Sequence, residues 1–177
     1  MKTRNGDTVR RFPAPTIRQR AWSVMMSMDR HFQRLMIPLL EGRRQECRDV
    51  LDEAMSDGLG ATQVYRSVIW PAMEHVAQMY REDRISLAAE HMAIRISRAL
   101  ADQLQSRLER GTPNGKRMLL TCAEGEPEEL GAQMCADLFE ADGWDVYFVG
   151  GGVPDDEVLE LVGRLRPDIL TIFGTQP

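Results

Sequence analysis

The sequence predicts an N-terminal, all-α four-helix bundle followed by an α/β half built on a parallel sheet. Three observations carry that expectation. From about Ala21 to Arg110 apolar residues recur at helical spacing throughout. Gly111-Thr112-Pro113-Asn114-Gly115 is rich in turn formers and marks the boundary between the halves. Beyond it, short apolar runs alternate with amphipathic helical stretches, a pattern that implies parallel strands joined by right-handed crossovers. The chain therefore divides into a basic tail (1–20), a bundle (21–110), a linker (111–116) and an α/β half (117–177).

In the bundle, a first helix is expected from Trp22 to about Leu40, with Pro38 marking a kink or its end. Gly42 separates it from a second, through Cys47, Val50, Leu51 and Ala54, which stops near Asp57-Gly58. Thr62 is the candidate N-cap of a third helix carrying Val64, Val68, Met73, Val76 and Tyr80, and Pro71 should bend it. A fourth begins at the candidate cap Ser86 and continues through Ile94, Leu100 and Leu104. Short connections between consecutive helices argue for antiparallel packing.

In the α/β half, Arg117–Cys122 reads as a strand and Glu129–Ala141 as a helix with Leu130, Met134 and Leu138 at spacing four. Asp145–Val149 is a second strand and Asp155–Leu165 a second helix, after Pro154. Ile169–Phe173 is the third strand, after which Gly174-Thr175-Gln176-Pro177 ends the sequence. The sheet is expected to be cut short there, with an unpaired hydrophobic edge. Ligands of parallel sheets bind beyond the carboxyl ends of the strands. The loop Glu126-Pro127-Glu128-Glu129-Leu130-Gly131 and the triplet Gly150-Gly151-Gly152 both lie there.

Composition excludes several classes. No apolar run approaches the roughly 20 residues a membrane helix needs, and the N-terminus does not read as a secretory signal. Cys47, Cys122 and Cys135 fit neither a zinc pattern nor a disulfide framework, which suits reduced thiols and a cytoplasmic location. A net charge of −5 disfavours nonspecific nucleic-acid binding by the body of the protein. Lys2, Arg4, Arg10, Arg11, Arg18 and Arg20 make the tail basic, either a disordered solubilising arm or a contact for phosphate or an acidic partner. No helix-turn-helix pattern precedes the folded part, so direct DNA binding is not expected. There is no Gly-x-x-x-x-Gly-Lys loop, nucleophile elbow or spaced His/Cys metal set, so the chain is not expected to be an enzyme by itself.

The most specific run is Ile85-Ser86-Leu87-Ala88-Ala89-Glu90-His91, with Pro71-Ala72-Met73 ahead of it. Together with the Glu126–Gly131 loop and Gly150-Gly151-Gly152-Val153-Pro154, it resembles the cobalamin-binding module of methionine synthase and of corrinoid methyl-carrier proteins. The similarity is greatest to cobalamin-dependent photoreceptor regulators and covers roughly residues 30–177. It implies a helical cap over a flavodoxin-like domain. In the photoreceptors a tryptophan, nine residues and then Glu-His place the cap over the corrin's upper face. Here Glu90-His91 is present and Tyr80 holds the aromatic position. Tyrosine keeps a flat ring able to pack on an adenosyl group. His91 is then a candidate upper cobalt ligand or a wall of the upper cavity, and Glu90 a residue that orients it or bonds adenosine. The competing readings are a hydrogen-bonded histidine at a helix–sheet interface and a solvated glutamate. His31 and His75 have no comparable setting and read as structural or exposed.

The family loop carries an acidic residue, any residue, a histidine, two more residues and a glycine. Glu126 and Gly131 fit, but Glu128 fills the histidine position. The family histidine ligates cobalt from below, oriented by the preceding acid. A carboxylate is a harder donor and a poorer partner for reduced cobalt. Glu126, Glu128 and Glu129 on one loop would also repel, raising at least one pKa on desolvation. The same charges suit a solvated helix N-terminus. Gly131, Gly150, Gly151 and Gly152 correspond to the borders of the nucleotide-tail pocket.

The resemblance implies a regulatory or photosensory protein that holds adenosylcobalamin or methylcobalamin between bundle and sheet, without histidine beneath the cobalt. Another tetrapyrrole, or no ligand, remains open. The alternatives are a degenerate interaction module that kept the fold, and a corrinoid methyl carrier. A homo-oligomer or a regulatory protein partner would supply the output.

Overall fold

A computed structural model describes residues 30–123 and 129–174. The basic tail, the start of the first helix, Glu126, Glu128 and residues 175–177 lie outside them.

The bundle consists of α1 (30–40), α2 (Arg44–Ser56), a broken third helix and α5 (Leu87–Gln105). The third helix comprises α3 (Ala61–Val64), a π turn (Tyr65–Ile69) and α4 (Trp70–Arg81). Its cap is Gly60, not Thr62: the Gly60 N–H donates to Gln63 Oε1 at 2.9 Å, so the reciprocal contact comes from Gln63. Pro71 sits in the first turn of α4. Its missing N–H falls where the widened π turn just before it passes into α4. The Ser86 cap is as expected, its hydroxyl accepting from Ala89 N at 3.2 Å.

The sheet order is β2 (Asp145–Gly150), β1 (Arg117–Cys122), β3 (Ile169–Phe173), all parallel. Met118 pairs with Val146 on one side and Ile169 on the other. β1 is buried along Met118–Cys122, whereas Ile169, Leu170 and Ile172 of edge strand β3 are exposed. α6 (Leu130–Ala141) joins β1 to β2 and α7 (Asp155–Leu165) joins β2 to β3. No described helix is long and apolar enough to cross a membrane.

α6 forms the layer between the halves. Ala132 and Ala136 pack on Met118, Leu120 and Cys122 of the sheet, while Leu130 and Met134 belong to the bundle core with Tyr65, Ile96, Leu100 and Leu104. Burying such an aliphatic side chain contributes about 1.5–3 kcal/mol, so this shared core ties the halves together. The bundle-facing row runs 130, 134, 137, which brings Asp137 and not Leu138 to the buried position. The 111–116 segment is also stitched down. Gly111 N donates to Ala141 O at 2.6 Å and Asn114 N to Gly143 O at 2.9 Å.

Candidate functional site

The carboxyl edge of the sheet is closed by a clasp between two loops. The β1–β2 register slips between Leu120 and Thr121, so Thr121 pairs with Gly150 and Val149 is passed over. Such a bulge re-aims the strand end. Thr121 Oγ1 fixes the result by donating to Gly150 O at 3.0 Å. Gly150 then takes φ +80°, and Glu129, the N-cap residue of α6, accepts a 2.6 Å hydrogen bond from Gly151 N. A Cβ on Gly150 would stand 2.8 Å from that carboxylate. Across the edge, Phe173 lies against Gly131 so closely that a Cβ there would meet the ring at 2.5 Å.

The cap overhangs this edge. Arg98 Nη1 donates to Gln133 Oε1 (3.1 Å), Gln133 Nε2 to Asp102 (2.8 Å) and Gln105 Nε2 to Asp137 (2.8 Å). The numbers ascend together, so α5 and α6 run in the same direction. α6 starts where β1 ends, only three residues before Gln133, whereas α5 starts eleven residues before Arg98. At helical rise, Glu90 and His91 therefore lie roughly 6–8 Å beyond the start of α6, past the carboxyl ends of the strands.

The overhanging end exposes apolar side chains. Leu87 is 51 % exposed, Met92 43 % and Tyr80 38 %. A tight turn brings Tyr80 to the same end as α5's first turn: Asp83 adopts φ +53°, and Arg84 N donates to Met79 O at 2.9 Å. Glu90 lies in that first turn, where the helix dipole favours an anion. His91 is exposed and makes no hydrogen bond or ion pair among the described residues.

The structure thus brings the expected residues into two groups. Tyr80, Glu90 and His91 lie on the cap; Gly131, Gly150 and Gly151 lie at the sheet edge. Gly152 is exposed, and a Cβ there would meet nothing within 4 Å, so it lines no tight cradle. Glu126 and Glu128 lie outside the described residues. The sequence reading missed Glu129 and Phe173 as the groups that meet the glycines, and Leu87 and Met92 as exposed apolar neighbours of His91. Leu87 and Met92 had a signal: apolar side chains that miss the buried Ala93–Ile96–Leu100 row of α5.

Other titratable clusters read as structural. His31 is buried, with Nε2 3.0 Å from Asp57 Oδ2. His31, Glu53 and Asp57 bring ligand-type atoms within 4.8 Å of one another. Arg30 and Arg34 already pair with Asp57 and Glu53, which makes the group an ion cluster between α1 and α2. Burial pushes the Cys47 thiol up to about 11 and raises Cys135 as well, so neither is an activated nucleophile.

Residues 32–105 match the family described as the B12 binding domain. The monomethylamine corrinoid protein of Methanosarcina barkeri has a similar structure, with a TM-score of 0.72 at 17% identity over 81% of this chain and 69% of that one. The chain has the architecture of a cobalamin-binding module. Two further structures overlap less well. The methanol:cobalamin methyltransferase complex of M. barkeri gives a TM-score of 0.49 at 20% identity, covering 91% of this chain and 62% of that one. A cobalamin-binding protein of Desulfitobacterium hafniense DCB-2 gives 0.45 at 19% identity, covering 84% and 69%. No curated protein sequence matches.

On the cap, the exposed His91 imidazole shares the start of α5 with exposed Leu87 and Met92. At the edge beneath, Glu129 and Phe173 occupy the space against Gly150 and Gly131.

Proposed function

We propose that this module binds a cobalamin between the overhanging start of α5 and the carboxyl edge of the sheet, and acts as a regulatory protein that is not an enzyme by itself. The observation that carries the reading is the overhang. An exposed imidazole without a described partner shares the start of α5 with exposed Leu87 and Met92, with Tyr80 at the same end of the cap, on the side of the sheet where ligands of this architecture bind. The family match and the fold neighbour named as a corrinoid protein support the same ligand class.

Bound cobalamin would supply a cobalt centre able to take a nitrogen ligand. His91 would offer a ring nitrogen to the cobalt, Glu90 a carboxylate for the ring or its substituents, and Tyr80 a flat wall. Glu128 stands at the family's histidine position in the sequence, so a bound cobalamin would take its own base or water in place of that imidazole. That feature favours regulation over methyl carriage, because a carboxylate is a poor partner for reduced cobalt. A second reading, a module that keeps the fold without the ligand, draws on Glu129 and Phe173 filling the edge. In either reading the output passes through a second copy or another protein.

The test is reconstitution with adenosylcobalamin, methylcobalamin and hydroxocobalamin, followed by desalting. Retained corrin absorbance is the expected outcome, and colourless protein in all three cases overturns the proposal. His91→Ala should alter the spectrum after illumination; an unchanged photoproduct would remove it as an upper ligand. Glu128→His should strengthen lower-face ligation, and no spectral change would mean that the loop does not face cobalt.

A further inference from the structure

Tyr65, Asp137, Ala101 and Gln105 form a buried polar joint where bundle, α5 and α6 meet. The Tyr65 hydroxyl is 2.8 Å from Ala101 O and 2.8 Å from Asp137 Oδ2. Gln105 Nε2 donates to Asp137 Oδ1 at 2.8 Å. Tyr65 is wholly buried, and Asp137 only 4 % exposed. A phenol has one proton, and a backbone carbonyl only accepts. If Asp137 is ionised, both neighbours of the hydroxyl are acceptors, and its single proton must be shared or leave one contact unmade.

A protonated Asp137 satisfies every contact. Its Oδ2–H donates to the Tyr65 oxygen, Tyr65 donates to Ala101 O, and Oδ1 remains to accept from Gln105. The charges acting on Asp137 are both negative, Glu140 on its own helix and Asp102 on α5. Burial, reinforced by those two carboxylates, raises the Asp137 pKa, although the contacts from Tyr65 and Gln105 pull the other way. Burial likewise raises Tyr65, which keeps its proton throughout.

We propose that Asp137 carries a proton into the joint between cap and α/β half, and that losing this proton as pH rises loosens the cap. The device is independent of whether a corrinoid binds. It sits toward the C-terminal end of α5, roughly 15 Å along the helix from Glu90-His91, so loosening there tilts the overhanging end. The sign follows from linkage. The folded state holds the proton more tightly than the unfolded chain, so the stabilisation is complete below the ordinary carboxyl value and is lost as pH rises through the raised one.

The experiment uses the full chain with carboxyl-labelled aspartate. Infrared difference spectra against Asp137→Asn should show one protonated-acid stretch whose titration midpoint lies above the ordinary aspartate value of about 3.9. A midpoint at or below that value overturns the proposal. The urea midpoint of the wild type should fall with pH relative to Asp137→Asn, whose amide keeps a donor for Tyr65 and an acceptor for Gln105. Parallel pH profiles for the two proteins would also overturn it. Tyr65→Phe removes a contact that pulls the Asp137 value down, so the protonated-acid midpoint should move further up; an unmoved midpoint would mean that the hydroxyl and the acid do not share a proton and would overturn the proposal. If Tyr65→Phe does not fold, the Asp137→Asn comparison decides alone.

Discussion

Glu129 at the start of α6 accepts a 2.6 Å hydrogen bond from Gly151 N, joining the two loops that border the ligand side of the sheet. This bond has a charged acceptor and is partly shielded from water, so it should contribute more than an average one. Glu129→Ala is expected to lower unfolding free energy by about 1–2 kcal/mol, and Glu129→Gln by roughly half that. Urea titration of the three proteins measures both. Equal stability of wild type and Glu129→Ala would mean that the clasp is solvated and contributes nothing.

Ser86 presents the Glu90-His91 turn by capping α5 through Ala89 N. Ser86→Ala should cost about 1 kcal/mol, concentrated in the first turn because helix ends fray before their middles. Hydrogen exchange should therefore rise at residues 87–91 and stay unchanged near Leu100. A uniform rise along α5 would show that the cap stabilises the whole bundle, not the overhang.

The strands and helices of the α/β half were legible because each has a single dominant periodicity; Asp155–Leu165 and Ile169–Phe173 match their expected bounds. α6 was harder, since it buries one row against the sheet and another against the bundle, and two superposed rows blur a helical pattern. Asp137 was invisible for that reason. An aspartate in an amphipathic helix ordinarily marks the wet face, and only the Tyr65 hydroxyl arriving from a distant π turn makes it interior. Glu90 and His91 were found through a local motif. The Glu129–Gly151 clasp was not, because it depends on a strand bulge that no residue type announces.

Cys47 should resist modification in the folded protein. It is wholly buried in the bundle core, and its pKa of about 11 leaves little thiolate near neutrality. Iodoacetamide at mildly alkaline pH should label Cys135, which is partly exposed, before Cys47; denaturant should expose all three cysteines. Mass spectrometry of timed digests reads the order. Fast native labelling of Cys47 would mean that α2 opens from the bundle on the labelling timescale.

Gly131 and Phe173 should be energetically coupled. Alanine in place of glycine within a helix ordinarily stabilises by about 1 kcal/mol. At Gly131 the new methyl would stand 2.5 Å from the far end of the Phe173 ring, inside any permitted contact. Overpacking of this kind costs roughly 1–3 kcal/mol, so Gly131→Ala is expected to be net destabilising by about 1 kcal/mol. Phe173→Leu removes the atoms that collide but leaves a partly filled space, a modest loss of its own. In that background Gly131→Ala should become neutral or stabilising, giving a coupling energy of at least about 1 kcal/mol in a double-mutant cycle. Additive effects would show that the ring swings aside freely, and then Phe173 could not restrict what enters between the start of α6 and the end of β3.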